Sequence, residues 1–221
     1  MSRAEGVDGI VLAAGRGDRL GLGPKAWLEL GGQTLLERAV TTLRAVVDRV
    51  IVGVAAEDLA RAAPLVGRET VVVAGGATHR ETMLAAFRAG AAPLVLIHDV
   101  AHPFVTAALA GRVLEAAREH GAAVAAVRSD SSVYREVEGA PPERFGPGEV
   151  WLVRRPFAAR RAVFARAVTT GGTDEGLGVL LDREGLWPRI VPAPPWNVKI
   201  TTPEDWALAR AIATGPGGDR G

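Results

Sequence analysis

The chain has 221 residues, with 26 Lys and Arg against 25 Asp and Glu, and it contains no cysteine. The balanced charge gives no one-sided basic surface for non-specific nucleic-acid binding, and the lack of cysteine excludes a disulfide scaffold, thiol catalysis and cysteine-ligated zinc. No apolar run is long enough for a signal peptide or a membrane span, so we expect a soluble cytoplasmic protein that binds neither nucleic acid nor membrane.

The first part of the chain alternates between strand-like and helical patterns. Five apolar runs predict β-strands, at 9–12, 49–54, 70–73, 94–97 and 122–127. Each run is too continuous to have one face in water, which predicts a sheet covered on both sides. Helical patterns lie between the strands, at 34–47, 78–90 and 106–120, and the first opens with a capping box formed by Thr34 and Glu37. This alternation predicts an α/β fold with a mainly parallel sheet.

The chain changes character after residue 128. Residues 129–149 are rich in Gly, Pro and charge, with one short β-like piece at 133–137, and we interpret them as an excursion from the core. Further strands are predicted at 151–153 and 197–200, and further helices at 156–168, 174–183 and 203–213, the last begun by Thr202 and Pro203. We predict a single domain over residues 1–214 and a disordered tail at 215–221.

The stretch LAAGRGDRLGLGPK at 12–25 combines glycines with Arg19 and Lys25 directly after the first strand. Backbone N–H groups in such a turn can surround a phosphate, and the cations supply counter-charge. The Walker pattern is excluded because Lys25 is followed by Ala26 and not by Ser or Thr. The dinucleotide pattern is excluded because Leu20 stands where its third glycine is required. A tight turn with solvated cations is the alternative.

The order A-A-G-x-G-x-R-L, followed by three residues and Pro-Lys, resembles the nucleotide-sugar pyrophosphorylase-like nucleotidyltransferases. Four further motifs narrow the resemblance to the 2-C-methyl-D-erythritol 4-phosphate cytidylyltransferases of isoprenoid precursor synthesis: GGATHRETM at 75–83, VLIHDVAHPFV at 95–105, TDE at 173–175 and NVKITTPED at 197–205. The resemblance covers nearly the whole chain. It implies a Rossmann-like sheet with helices on both faces, and cytidylyl transfer from CTP to the polyol phosphate with Mg²⁺ and release of pyrophosphate. It also implies a homodimer formed through a β-arm, which falls at 129–149.

The resemblance also implies roles for individual residues. Residues implied in catalysis are Arg19, Lys25 and Lys199. Residues implied in nucleotide binding are Ala13, Ala14, Gly15, Gly17, Gly76 and Thr82. Residues implied in binding the acceptor phosphate are His102, Arg144, Thr173 and Lys199, and Asp99 is implied as the Mg²⁺ ligand. Taken without the flanking motifs, Asp99 is also an ordinary turn residue, and Thr173 and Lys199 are ordinary surface residues.

Three departures from the family pattern bear on the function, and two of them concern the acceptor side of the site. His79 and His102 stand where the family has arginine, and Val153, Arg154 and Arg155 stand where it has Thr-Pro-Gln. Histidine is mostly neutral at pH 7 and lacks the bidentate fork of arginine. Arg154 and Arg155 either bind the acceptor phosphate from a new position or are surface charges. The alternatives are therefore a cytidylyltransferase for another polyol phosphate, such as ribitol 5-phosphate, and a nucleotide-binding paralogue without catalysis.

Overall fold

The computed structural model describes residues 6–170, 182 and 185–215. The strands in these ranges are β1 (Val7–Leu12), β2 (Glu29–Leu30), β3 (Gln33–Thr34), β4 (Arg49–Val54), β5 (Val71–Ala74), β6 (Leu94–Asp99), β7 (Ala122–Arg128), β8 (Val133–Val137), β9 (Ala140–Phe145), β10 (Trp151–Arg160) and β11 (Arg189–Pro192). The α-helices are α1 (Leu35–Arg44), α2 (Leu59–Val66), α3 (His79–Arg88), α4 (Ala107–His120), α5 (Arg161–Thr170) and α6 (Pro203–Thr214).

Within the described ranges, seven strands form the central sheet in the order β11-β7-β10-β6-β1-β4-β5. The neighbours β6, β1, β4 and β5 are parallel, as are β7 and β11, while β10 runs antiparallel to both β6 and β7. The predicted α/β fold with a mainly parallel sheet is confirmed. All five of the early predicted strands are present, within two residues of the predicted starts and ends.

Alternate residues of the central strands enter two separate cores, one on each face of the sheet. Val11 and Leu96 contribute to the core beneath α1, α2, α4 and α6, whereas Ile10 and Ile97 contribute to the core beneath α3 and α5. A strand buried on both faces needs this unbroken apolar run, because successive side chains point in opposite directions. The edge strand β5 departs from the prediction, since none of its residues is fully buried.

Local sequence fixes the starts of three helices. Thr34, Thr78 and Thr202 each accept a hydrogen bond from the backbone three residues on, and an acidic side chain there accepts one from the cap backbone. Each pair satisfies two backbone donors at the start of the helix. The start of α3 lies at the carboxyl edge of the sheet, next to the loop that follows β5.

Two predictions in the second half differ from the structure: the helix predicted at 156–168 is present only from Arg161, as α5, and the strand predicted at 197–200 is not formed. Residues 156–160 were predicted to open a helix, but they continue β10, which pairs with β6 through Phe157 to Arg160. Residues 197–200 were predicted as a strand but pair with none of the strands in the described ranges. There the Asn197 side chain donates to the carbonyl of Arg155 at 2.8 Å, and the N–H of Ile200 donates to Ala101 at 2.8 Å. The helix predicted at 174–183 lies outside the described residues, apart from residue 182, as does the tail after residue 215.

The predicted excursion at 129–149 contains an antiparallel hairpin of β8 and β9. The hairpin is separate from the central sheet, and nearly all its side chains are exposed, including Tyr134 with 61 % of its surface accessible. In the described part of the chain, no helix has the length and apolar character needed to cross a bilayer.

Candidate functional site

A cleft of about 810 Å³ opens at the carboxyl edge of the sheet. The chain leaves β1 toward β4 and β5 on one side, and β6 lies on the other, so the strand order reverses at β1. Leu12 and Asp99 are paired across β1 and β6 at the mouth of this crevice. Open α/β sheets bind ligands at such a switch point, because the loops leaving its two strands diverge and leave room between them.

The loop after β1 forms one wall of the cleft. Gly17 has a φ of 75°, and its carbonyl accepts hydrogen bonds from the N–H groups of Leu20 at 2.9 Å and Gly21 at 3.1 Å. Leu20 is buried and anchors the loop to the core, while Gly15 and Gly17 face the cleft. Glycine is needed at position 17 because the backbone is left-handed there and passes close to Gly23.

Cationic side chains line the same cleft, among them Arg19, Lys25 and Lys199. The ammonium group of Lys25 donates to the carbonyl of Ile200 at 2.8 Å, which ties the glycine loop to the segment that carries Lys199. Burial lowers the pKa of Lys25, and the nearby positive charges of Arg19 and Lys199 lower it further. The site is therefore short of negative charge, and an anionic ligand would relieve the repulsion among its cations.

The loop between β5 and α3 forms the opposite wall. The N–H of Gly76 donates to the Thr82 hydroxyl at 3.2 Å, and that hydroxyl donates to the carbonyl of Thr78 at 3.1 Å. A Cβ at Gly75 would lie 2.6 Å from the Thr82 oxygen and 2.9 Å from the Ala14 side chain. Thr82 is buried, so it shapes the backbone of this wall, and the close approach of Ala14 brings the two loops together.

Asp99 lies at the base of the cleft between two basic side chains. Arg155 Nε is 2.7 Å from its Oδ2, and His79 Nε2 is 3.0 Å from its Oδ1. Burial alone would raise the pKa of Asp99, but Arg155 and then His79 outweigh it and hold the pKa well below its usual value. Asp99 is therefore a carboxylate at neutral pH.

Two buried histidines flank this carboxylate along the chain. Burial lowers the pKa of His98 to about 4 and holds the pKa of His102 well below its ordinary value, so both rings are neutral at pH 7. Neither Nδ1 atom has a hydrogen-bond partner among the residues that the structure describes. His102 is only 3 % exposed and is not among the residues that line the cleft, so its contact with an acceptor phosphate stays a prediction.

The structure gathers most of the predicted site residues into one place. Those that line the cleft are Ala14, Gly15, Gly17, Arg19, Lys25, Gly76, Thr82, Asp99 and Lys199. Ala13 is buried behind the wall, where its N–H donates to the carbonyl of Gly53. Arg144 lies away from the cleft on β9, with its guanidinium 3.5 Å from the Ser132 hydroxyl. Thr173 lies outside the described residues.

Other cleft residues were not predicted from the sequence. Arg16, Asp18 and Glu57 line it, the last from the loop after β4. Glu57 could have been found, since it follows a predicted strand at the edge where parallel strands place their ligand loops. Arg155 was expected to bind acceptor phosphate or to lie on the surface; it is largely buried and pairs with Asp99, and its binding of acceptor phosphate stays a prediction. No local pattern indicates that pairing.

An α/β sheet whose switch point carries a glycine-rich loop, several cationic side chains and the carboxylate of Asp99 in one cleft is typical of a nucleotidyltransferase. The sequence model of the 2-C-methyl-D-erythritol 4-phosphate cytidylyltransferase family matches residues 7–215. The enzyme of that name from Thermus thermophilus is 39 % identical over 212 residues, covering 94 % of this chain and 97 % of its own. A crystal structure from that organism has a TM-score of 0.79 and 32 % identity, and the match covers 95 % of this chain and 100 % of that one. The chain therefore belongs to the 2-C-methyl-D-erythritol 4-phosphate cytidylyltransferase family.

A longer relative is also similar to this chain. The bifunctional enzyme IspD/IspF of Anaeromyxobacter dehalogenans is 40 % identical over 231 residues, a match that covers 98 % of this chain. The chain spans 59 % of the length of that relative, and likewise 59 % of a second bifunctional enzyme from Anaeromyxobacter.

Proposed function

We propose that the protein transfers the cytidylyl group of CTP to the phosphate of 2-C-methyl-D-erythritol 4-phosphate and releases pyrophosphate. The observation that carries this proposal is the convergence of Arg19, Lys25 and Lys199 with the glycine loop in one cleft. A nucleoside triphosphate is the kind of ligand that such a set neutralises. Family membership supplies the nucleotide and the acceptor.

The chemistry requires positioning and charge neutralisation. An acceptor phosphate oxygen attacks the α-phosphorus of CTP, the bond from that phosphorus to the bridging oxygen breaks, and pyrophosphate leaves with the electron pair. The nucleophile is already anionic, so no general base and no covalent enzyme intermediate are required. Arg19, Lys25 and Lys199 would stabilise the charge that spreads over the phosphate oxygens.

Asp99 is the residue that would hold a Mg²⁺ ion. Magnesium takes oxygen ligands, commonly one or two carboxylates with substrate phosphates and water completing the set. Asp99 supplies one such carboxylate at the cleft, and the described residues include no cluster of three His, Cys, Asp or Glu that would enclose an ion by itself. This donor set fits an ion shared with the nucleotide, where Mg²⁺ would neutralise charge on the phosphates.

The hairpin of β8 and β9 supports a second part of the proposal, a homodimer. The hairpin is exposed along its length, and Val137 and Tyr134 present apolar surface to solvent. A second copy of the chain would cover this surface, and Arg144 on β9 would then reach the cleft of that second copy. Light scattering of the purified protein should give twice the chain mass, and a monomer at micromolar concentration would contradict the dimer.

Pyrophosphate release tests the proposed reaction. The purified protein with Mg²⁺ and CTP should release pyrophosphate only when 2-C-methyl-D-erythritol 4-phosphate is present, and ribitol 5-phosphate serves as the alternative acceptor. Pyrophosphate release only with ribitol 5-phosphate would make ribitol 5-phosphate the acceptor. CTP binding without pyrophosphate release in the presence of either acceptor would favour the non-catalytic paralogue.

Lys25→Ala provides the matched variant for that assay. Removing one preorganised donor to a charged transition state reduces turnover by about 100-fold or more, and we expect a loss of that size. Arg210→Ala, which removes an exposed cation from α6, is the control and should keep wild-type turnover. Wild-type turnover in Lys25→Ala would show that the cleft does not hold the reacting phosphates as described.

A further inference from the structure

Arg155 contacts Asp99 but is not itself among the residues that line the cleft. The two side chains are 15 % and 13 % exposed, and their Nε and Oδ2 atoms are 2.7 Å apart. His79 contacts the other carboxylate oxygen, but its side chain is 58 % exposed. Of the two partners of Asp99, Arg155 is therefore the more deeply buried.

An irregularity in β10 aims Arg155 at Asp99. Val153 pairs with Ala126 of β7, and the next pair joins Phe157 to Val124. Between these pairs β10 has three residues, Arg154 to Pro156, where β7 has one. Such bulges turn side chains out of the regular strand alternation and are common beside active sites.

The backbone of the bulge is held by a buried side chain. Asn197 is completely buried, and its Nδ2 donates to the carbonyl of Arg155 at 2.8 Å. Asn197 belongs to the segment that carries Lys199 into the cleft, so one loop supports both the cation at the cleft surface and the cation behind Asp99. The position of Arg155 is therefore set by buried contacts and not by solvent.

These contacts place a fixed positive charge at the carboxylate that would receive the metal. We propose that Arg155 is a positioning residue that competes with a divalent cation for Asp99 and thereby sets the affinity of the cleft for that cation. The inference rests on the role of Asp99 in the proposed function. Without a bound cation, Arg155 neutralises Asp99. When a divalent cation is bound, Arg155 keeps the affinity of the cleft for that cation low, because its charge repels the ion and its Nε–H occupies one carboxylate oxygen of Asp99.

Binding of Mn²⁺ to the full chain in the absence of nucleotide, followed by electron paramagnetic resonance, tests this inference. Arg155→Ala should bind Mn²⁺ about tenfold more tightly than the wild type, because a unit charge next to the ion is removed. Arg155→Lys keeps the charge but loses the Nε–H that occupies Asp99 Oδ2, so its affinity should fall between the two. Arg154→Ala, the neighbouring arginine, which does not contact Asp99, is the matched control and should change affinity by less than about twofold.

The same measurement in an Asp99→Asn background separates the inference from a general charge effect. Asp99→Asn should lose the Mn²⁺ binding of the wild type, and Arg155→Ala should add no affinity in that background, because the two residues act on one ion. A gain that persists in Asp99→Asn would overturn the inference. So would an unchanged affinity in Arg155→Ala, or wild-type Mn²⁺ binding in Asp99→Asn.

Stability measurements cover the case in which Arg155→Ala folds poorly. Removal of Arg155 leaves Asp99 as a largely buried carboxylate without its main counter-charge, so the variant should melt below the wild type without metal and gain more from added Mn²⁺. If it does not fold, the affinity of Arg155→Lys relative to the wild type decides the question. Pyrophosphate release is measured separately. If the protein releases pyrophosphate but Arg155→Ala binds Mn²⁺ with the same affinity as the wild type, this inference is refuted and the proposed function stands.

Discussion

Replacement of Gly17 by alanine should impair CTP binding through the loop backbone, although it removes no polar group. Gly17 has a φ of 75°, and a Cβ placed there would lie 3.0 Å from the carbonyl carbon of Gly23 and closer still to its oxygen. The obstructing atoms are backbone, so no side-chain rotation can relieve the overlap. The segments at 17 and 23 must move apart, and Lys25 follows the second of them.

The expected magnitude has two parts. A residue with a Cβ is strained by about 1–2 kcal/mol in the left-handed region, and this strain lowers the free energy of unfolding by about that amount. An ordinary contact between carbon and oxygen is about 3.3 Å or longer, so the two segments must separate by about 1 Å. A displacement of about 1 Å among groups that position reacting atoms can lower turnover about 100-fold, and we expect kcat/KM for CTP to fall by that order.

Gly21 provides the control for this experiment. Its φ is 70°, but a Cβ there would meet no atom within 4 Å, so Gly21→Ala introduces the backbone strain without the overlap. Both variants are compared by urea unfolding, by CTP titration calorimetry and by pyrophosphate release at varied CTP. Gly17→Ala should lose at least as much stability as Gly21→Ala, and only Gly17→Ala should lose most of its kcat/KM. Equal kcat/KM in the two variants would refute the reasoning.

Two further predictions concern stability. Asp8 is 1 % exposed and accepts hydrogen bonds from the Ala92 N–H at 2.7 Å and the Arg161 guanidinium at 2.8 Å. Asp8→Ala should lower the free energy of urea unfolding by about 3 kcal/mol, and a loss under about 1 kcal/mol would contradict the buried pairing. Burial opposes ionisation of Asp205, but hydrogen bonds from the Thr202 and Thr201 backbone prevail and lower its pKa. Its stabilisation is complete above the unfolded pKa near 4 and is lost as pH falls through the folded value. Asp205→Ala should therefore cost about 1 kcal/mol at pH 7 and progressively less below pH about 4, and a pH-independent difference in unfolding free energy would exclude this mechanism.

The features predicted correctly from the sequence depend on neighbours along the chain. Thr34 and Glu37 form their capping box within one turn, and the apolar runs of β1 and β6 require a covered sheet wherever they pair. The glycine loop and Lys25 share one short stretch, so their common place in the cleft follows from the position of that stretch after β1.

The features predicted wrongly depend on contacts between distant segments. The strand predicted at 197–200 is replaced by a loop because Asn197 bonds Arg155, 42 residues away in the chain. Arg155 reaches Asp99 only because β10 bulges against β7. None of these contacts leaves a periodic signal in the sequence.

The reaction product is the most direct test of the central claim, that this cleft holds CTP for attack by a polyol phosphate. Purified protein with Mg²⁺, CTP and 2-C-methyl-D-erythritol 4-phosphate is followed by phosphorus NMR. We expect a new diphosphate diester of cytidine and methylerythritol, formed in equal amount to pyrophosphate and at least about 100-fold more slowly with Lys25→Ala. No diester from this acceptor, with CTP bound and intact, would contradict it.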